Sequence, residues 1–178
     1  MKLVIVGEGP MRKQLERDAA YLGVSKQVIF TGYLDDYEVR IVLKAADVVV
    51  VPSLYEPFGI VALEAMAAKT PVVVSDIGGL SELISDGEGI KIPPNNSESL
   101  AESIVKILSE EDGDRRKVVV EEMVEKGFKK TLALNWDKIS EATIGVYAKV
   151  LARSSLIAQG KDMEIGTEKG ELWKYAYS

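Results

Sequence analysis

An α/β fold, a parallel sheet with helices on both faces, is what this sequence predicts, and three observations carry that expectation. Short runs of β-branched and aliphatic residues recur at 2–6, 28–31, 48–51, 72–74 and 90–92. The connections between them have helical apolar spacing and are too long for hairpins, which implies βαβ units with right-handed crossovers. Glycine turns follow several of the runs: Gly7-Glu8-Gly9, Gly32 and Gly78-Gly79. In such sheets ligands bind beyond the carboxyl ends of the strands, where these turns fall.

The elements follow in order. Residues 2–6 make a short strand that ends in Gly7-Glu8-Gly9-Pro10 and leads into a helix from about Met11 to Leu22. Gly7 and Gly9 invite a dinucleotide-fingerprint reading, but Arg12 stands where the third glycine belongs, so a plain tight turn competes with it. A second strand over 27–32 passes through Gly32-Tyr33-Leu34 to Asp35-Asp36, a reasonable helix cap. The four valines 48–51 suit a parallel strand covered on both faces. Pro57 is pre-set for the first position of the next helix, which makes Glu56 its N-cap. Pro71 introduces the strand at 72–74, and Ser75-Asp76-Ile77-Gly78-Gly79 turns into a short helix near Leu80. The strand at 90–92 stops at Pro93-Pro94, and Asn95-Asn96-Ser97 caps a helix running to about Ser109. Asp112-Gly113-Asp114 reads as a solvated turn between helices rather than a metal motif. Helices then cover about 115–130 and 136–152, the second with an apolar stripe of Trp136, Ile139, Ile144, Tyr147 and Leu151 that reads as core. From Arg153 the periodicity fades, giving a domain over 1–152 and a polar tail over 153–178 that carries Trp173, Tyr175 and Tyr177.

Composition excludes several chemistries. The 178 residues contain no Cys and no His, so thiolate, disulfide, imidazole and common zinc chemistry are absent. A net charge of −6 argues against a nucleic-acid or membrane-surface binder, which needs a basic face. No stretch approaches a membrane span and the N-terminus lacks a signal-peptide pattern, so a cytoplasmic location is expected.

The candidate site is the turn Ser53-Leu54-Tyr55-Glu56-Pro57-Phe58-Gly59 with the helix behind it. Glu56 is a poor cap by propensity, and functional sites tolerate such local inconsistency. Glu64 follows eight positions later and leans back toward the same opening. The same spacing recurs at Glu8/Glu16 and Glu102/Glu110, so spacing alone proves nothing. What distinguishes the first pair is the Pro-Phe-Gly insert, which sets free N–H groups at a helix start between two acids, ready for an anion.

This stretch resembles the Glu-x7-Glu motif of family 4 retaining glycosyltransferases of GT-B architecture, whose glycogen-synthase-like members carry a similar Glu-Pro-Phe-Gly. The likeness covers about 2–152 and matches the donor-binding, Rossmann-like C-terminal domain. It implies transfer of a hexose from a nucleoside diphosphate sugar to a glycan acceptor, with no cofactor and no metal. Glu56, Phe58 and Gly59 would meet the donor sugar; Gly59, Ile60 and Gly7 the phosphates; Glu64 the ribose. Tyr33 and Leu34 would contact the base, with plain loop packing equally open for both. Gly78-Gly79 would lie near the sugar and phosphates, or form a tight turn only. The family places a strand and helix upstream of Lys2, with an Arg and a Lys that clamp the diphosphate, and an N-terminal acceptor domain before them. Neither is in this chain, which suggests a truncated product or fragment. The upstream strand lies near the sheet centre, so a seam between 2–6 and 48–51 is expected, with self-association. Two other readings remain: an epimerase or phosphorylase on the same architecture, and a non-catalytic nucleotide-sugar module that needs a separate acceptor domain.

Overall fold

A computed structural model describes residues 1–109 and 113–158. Five strands alternate with helices: β1 Leu3–Val6, α1 Arg12–Tyr21, β2 Val28–Gly32, α2 Asp36–Ala45, β3 Val49–Val51, α3 Ile60–Ala67, β4 Val72–Ser75, α4 Gly78–Leu83, β5 Ile90–Ile92 and α5 Ser97–Leu108. Two long helices follow, α6 Gly113–Ala133 and α7 Trp136–Ala158. The chain forms two compact units, Met1–Phe128 and Lys129–Ser178. The strands are parallel, as expected, in the orders β1-β2 and β3-β4-β5.

β4 is the centre of the core. Its four residues are all buried, and their alternation sends Val73 to one face and Val72 and Val74 to the other. Val73 joins Ile92, Ile107 and Met123, with Leu100 and Val120 packed against them, so α5 and α6 cover that face. α3 and α4 pack on β4 as well, bringing the buried Ala62, Ala65, Met66, Leu80 and Leu83. The Thr70 hydroxyl donates to Leu43 O at 2.7 Å and ties the start of β4 to α2.

Local signals placed most helix ends. Asp35 caps α2 in a full capping box with Glu38, and Asn96 accepts the Ser99 N–H at the start of α5. α3 ends in a Schellman pair, Lys69 N–H to Met66 O and Thr70 N–H to Ala65 O. The position wants glycine, and Lys69 stands there at φ 61 with its ammonium 4.3 Å from the Phe128 ring centre and 3.4 Å from Glu125 Oε2. Lys69 thus holds left-handed geometry that a side chain with a Cβ adopts only at some cost.

Four expectations need correction. The valine run is covered on both faces only in part: Val48, Val49 and Val50 are half-buried and only Val51 is buried, because β3 lies at an edge of its sheet. Trp136 is 83% exposed and Ile144, Tyr147 and Leu151 are exposed too, so the α7 stripe is not core. Helical period puts residues on one face but does not supply a surface to cover it. Gly113 and Asp114 open α6 instead of lying in a turn, while Asp112 is outside the described residues. α7 runs to Ala158, past the helix end expected at about 152, and the tail aromatics Trp173, Tyr175 and Tyr177 lie outside the described residues.

The expected seam is present: no ladder joins β1 to β3 among the described residues. Alternate residues of a parallel strand turn their polar groups to opposite edges. Leu3 N–H bonds Gln27 O and Val49 N–H bonds Pro71 O, so Val4 and Val6 on β1, with Val50 on β3, turn theirs to unpaired edges. Leu3, Val4 and Val6 are 49%, 40% and 42% exposed. Such edges template pairing with other chains. Sedimentation velocity is expected to show species above monomer whose share rises with concentration, and V4K to reduce them. A monomer at every concentration would contradict this.

Candidate functional site

The site lies where the β3–α3 and β4–α4 loops meet. Gly79 N–H donates to Glu56 O at 2.9 Å. A Cβ at Gly79 would lie 2.5 Å from Phe58 Cα and 2.7 Å from Phe58 N, and against the Pro57 carbonyl. A Cβ at Gly78 would meet Glu56 O, and Gly78 is at φ 51. The paired glycines therefore have a definite use, close approach of one loop backbone to another.

This docking corrects the start of α3. The sequence places Pro57 in the first turn and Glu56 at the N-cap; the helix starts at Ile60, and its cap is the buried Gly59 at φ 96, ψ 40. Pro57 and Phe58 remain in the loop because they lie against Gly79, and Gly59 makes the reversal that lets Leu80 sit beneath it. A Cβ at Gly59 would be 2.5 Å from Leu80 Cδ2.

Glu56 keeps a capping role of another kind. Its Oε1 accepts the Gly59 N–H at 3.1 Å and its Oε2 accepts the Ser53 hydroxyl at 3.4 Å. The Gly59 N–H, expected to be free, is thus held by the half-buried Glu56 carboxylate. The Ile60 and Val61 N–H groups have no partner among the described residues, and both side chains are exposed, 61% and 48%. Open donors at a helix start are where an anion is stabilised. Glu64, one turn further, is exposed, and while its backbone carbonyl accepts the Ala68 N–H at 2.9 Å, its carboxylate accepts no hydrogen bond among the described residues. Phe58 is 36% exposed at the loop surface.

The remaining predicted positions lie at the ends of β1 and β2. Gly7, at φ 109, donates its N–H to Gly32 O at 2.9 Å, so that N–H is used in the fold, while a Cβ there would meet nothing within 4 Å. Tyr33 is 79% exposed and Leu34 half-buried. Arg12, close to this turn, is held by Glu8 at 3.5 Å and Glu16 at 3.0 Å. Sequence reasoning passed over Ser75, a polar residue at the end of the apolar β4 run that is 1% exposed. That break in the apolar pattern was its one signal.

Residues 1–125 match the family model described as glycosyl transferases group 1. An uncharacterized glycosyltransferase of Methanocaldococcus jannaschii is 46% identical over 147 residues, covering 82% of this chain and 36% of the relative. Glycogen synthase of Mycobacterium tuberculosis is 36% identical over 146 residues, covering 82% of this chain and 34% of the relative. The chain thus spans about a third of the length of these curated relatives. Among solved structures, sucrose-phosphate synthase from Thermosynechococcus elongatus matches with a TM-score of 0.73 and 32% identity, over 85% of this chain and 39% of that one. Anabaena HepE in complex with UDP-glucose matches with a TM-score of 0.62 and 28% identity, over 73% of this chain and 36% of that one.

Proposed function

The chain belongs to the glycosyl transferases group 1 family, and on that premise we propose that its Met1–Phe128 unit binds the nucleotide-sugar donor of a retaining hexosyltransferase. The observation that carries this reading is the α3 start: open N–H groups at Ile60 and Val61, flanked by the carboxylates of Glu56 and Glu64, at the carboxyl ends of parallel strands. The likeness to HepE, solved with UDP-glucose, supports the ligand class.

On this reading the Glu56 carboxylate acts as a placeholder. When a donor enters, its sugar hydroxyls donate to Glu56, and the Gly59 N–H turns to a sugar or phosphate oxygen beside Ile60. The leaving diphosphate gathers charge as the anomeric bond breaks, and fixed donors at a helix N-terminus stabilise that charge without reorganising. No metal is required for this step. Glu64 accepts from the ribose hydroxyls, Tyr33 and Leu34 border the base, and Phe58 packs on the sugar. Gly7 offers an open backbone beside the phosphates. The glycan acceptor is held by a separate N-terminal domain.

Each charge-assisted bond from a ribose hydroxyl to Glu64 contributes about 1.5–3 kcal/mol. Glu64→Gln should therefore weaken UDP or GDP binding about tenfold or more in calorimetric titrations against a panel of nucleotides and nucleotide sugars. Unchanged affinity would remove the ribose assignment.

A second reading is a nucleotide-sugar module that is not catalytic by itself. The cation beside the Gly7 turn, Arg12, is held by two carboxylates and is not poised for a diphosphate. Transfer assays of the chain alone and with candidate acceptor domains separate the two: turnover by the chain alone excludes this second reading.

A further inference from the structure

A cleft opens at the same end of the β3-β4-β5 sheet, on the side of α5. It measures about 310 Å³ and is lined by Leu54, Ser75, Ile92, Asn95, Ser97 and Leu100 among others. That is the lower end of the range for small-molecule sites. Ser75 shares its β4 face with Val73, which packs in the core under α5, so its side chain points toward α5 and the cleft. Ser75 is 1% exposed, and its hydroxyl has no hydrogen-bond partner among the described residues. Buried hydroxyls in native proteins are paired, and one left open toward a cleft marks a place for a ligand atom.

Two further polar groups converge on it. α5 runs 12 residues, and Asn96 caps only its Ser99 N–H, which leaves the Ser97 and Glu98 N–H groups open. Asn95 sits at φ 57 with an amide that has no hydrogen-bond partner among the described residues. Leu54, Ile92 and Leu100 supply an apolar wall. No Lys or Arg lines the cleft, and the exposed Glu98 stands in the first turn of α5, so a free anion is disfavoured. Neutral donors and acceptors set beside an apolar wall fit a ring with an apolar face and a rim of hydroxyls.

We propose that this cleft is a subsite for an uncharged hexose unit of a glycan, held by the Ser75 hydroxyl, the Asn95 amide and the α5 N-terminus. Binding there is independent of the nucleotide; only its use in transfer rests on the donor reading above.

Amide NMR of the full chain titrated with glucose, mannose, galactose and maltotriose tests it. At least one saccharide should shift Ser75, Asn95 and Ser97 in the millimolar range, and Ser75→Val should weaken that binding about fivefold. Asn95→Gly keeps the left-handed backbone and removes only the amide, and should weaken it similarly. UDP should shift Ile60 and Glu64 in both variants as in the wild type. Inorganic phosphate shifting residues 95–98 in place of every saccharide would overturn the proposal, as would no saccharide shift at tens of millimolar. If UDP fails while a hexose still shifts Ser75 and Asn95, the donor reading falls and this subsite stands.

Discussion

Gly79→Ala is expected to abolish nucleotide binding and to destabilise the Met1–Phe128 unit by about 3 kcal/mol, within the upper range for overpacking plus a lost hydrogen bond. The added methyl would lie 2.5 Å from Phe58 Cα and 2.7 Å from Phe58 N, backbone atoms that cannot rotate away. The 57–59 loop must retreat, and the bond from Gly79 N–H to Glu56 O goes with it. Retreat also moves Gly59, the residue that sets the α3 start, so the Ile60 and Val61 donors lose their position. Urea unfolding and UDP titration would measure both effects. The control is Gly145→Ala in α7, where a Cβ meets nothing within 4 Å; it should be neutral or stabilise by about 0.5–1 kcal/mol. Wild-type midpoint and affinity for Gly79→Ala would show that the two loops are not coupled.

Leu80→Ala should cost about 2–5 kcal/mol, the range for deleting a large buried aliphatic side chain. Leu80 is fully buried and lies directly under Gly59. The cavity would open beneath the α3 start, where the neighbouring backbone cannot collapse without undoing the Gly79 bond. In thermal unfolding the midpoint should fall by roughly 10 °C. A cost below about 1 kcal/mol would mean that α4 is not a support for the site. The truncation should also weaken nucleotide binding even though Leu80 itself touches no ligand.

Much of this was legible because it is local. The strand runs, the caps at Asp35 and Asn96 and the alternation of strand and helix follow from side-chain chemistry within a few positions of each element. Glu56 and Glu64 stand out as candidates the same way, by a motif around a helix start. The start itself was misplaced by three residues, because Pro57 fits a first turn locally but is held in the loop by a glycine twenty-two positions away, Gly79. Trp136 misled for a related reason: its apolar spacing was real, but its burial needed a partner surface.

By itself, then, the sequence determined the order and type of the elements, the absence of thiol and imidazole chemistry, and the stretch that carries the candidate site. Those depend on residue identity and near neighbours, which a sequence displays directly. Only the tertiary structure decided that the Glu56 carboxylate occupies the Gly59 N–H, that the paired glycines serve to bring two loops together, and that Ser75 is left open toward a cleft. Each of these is a contact, or a missing contact, set by how separate βα units pack, and spacing along the chain does not encode that distance.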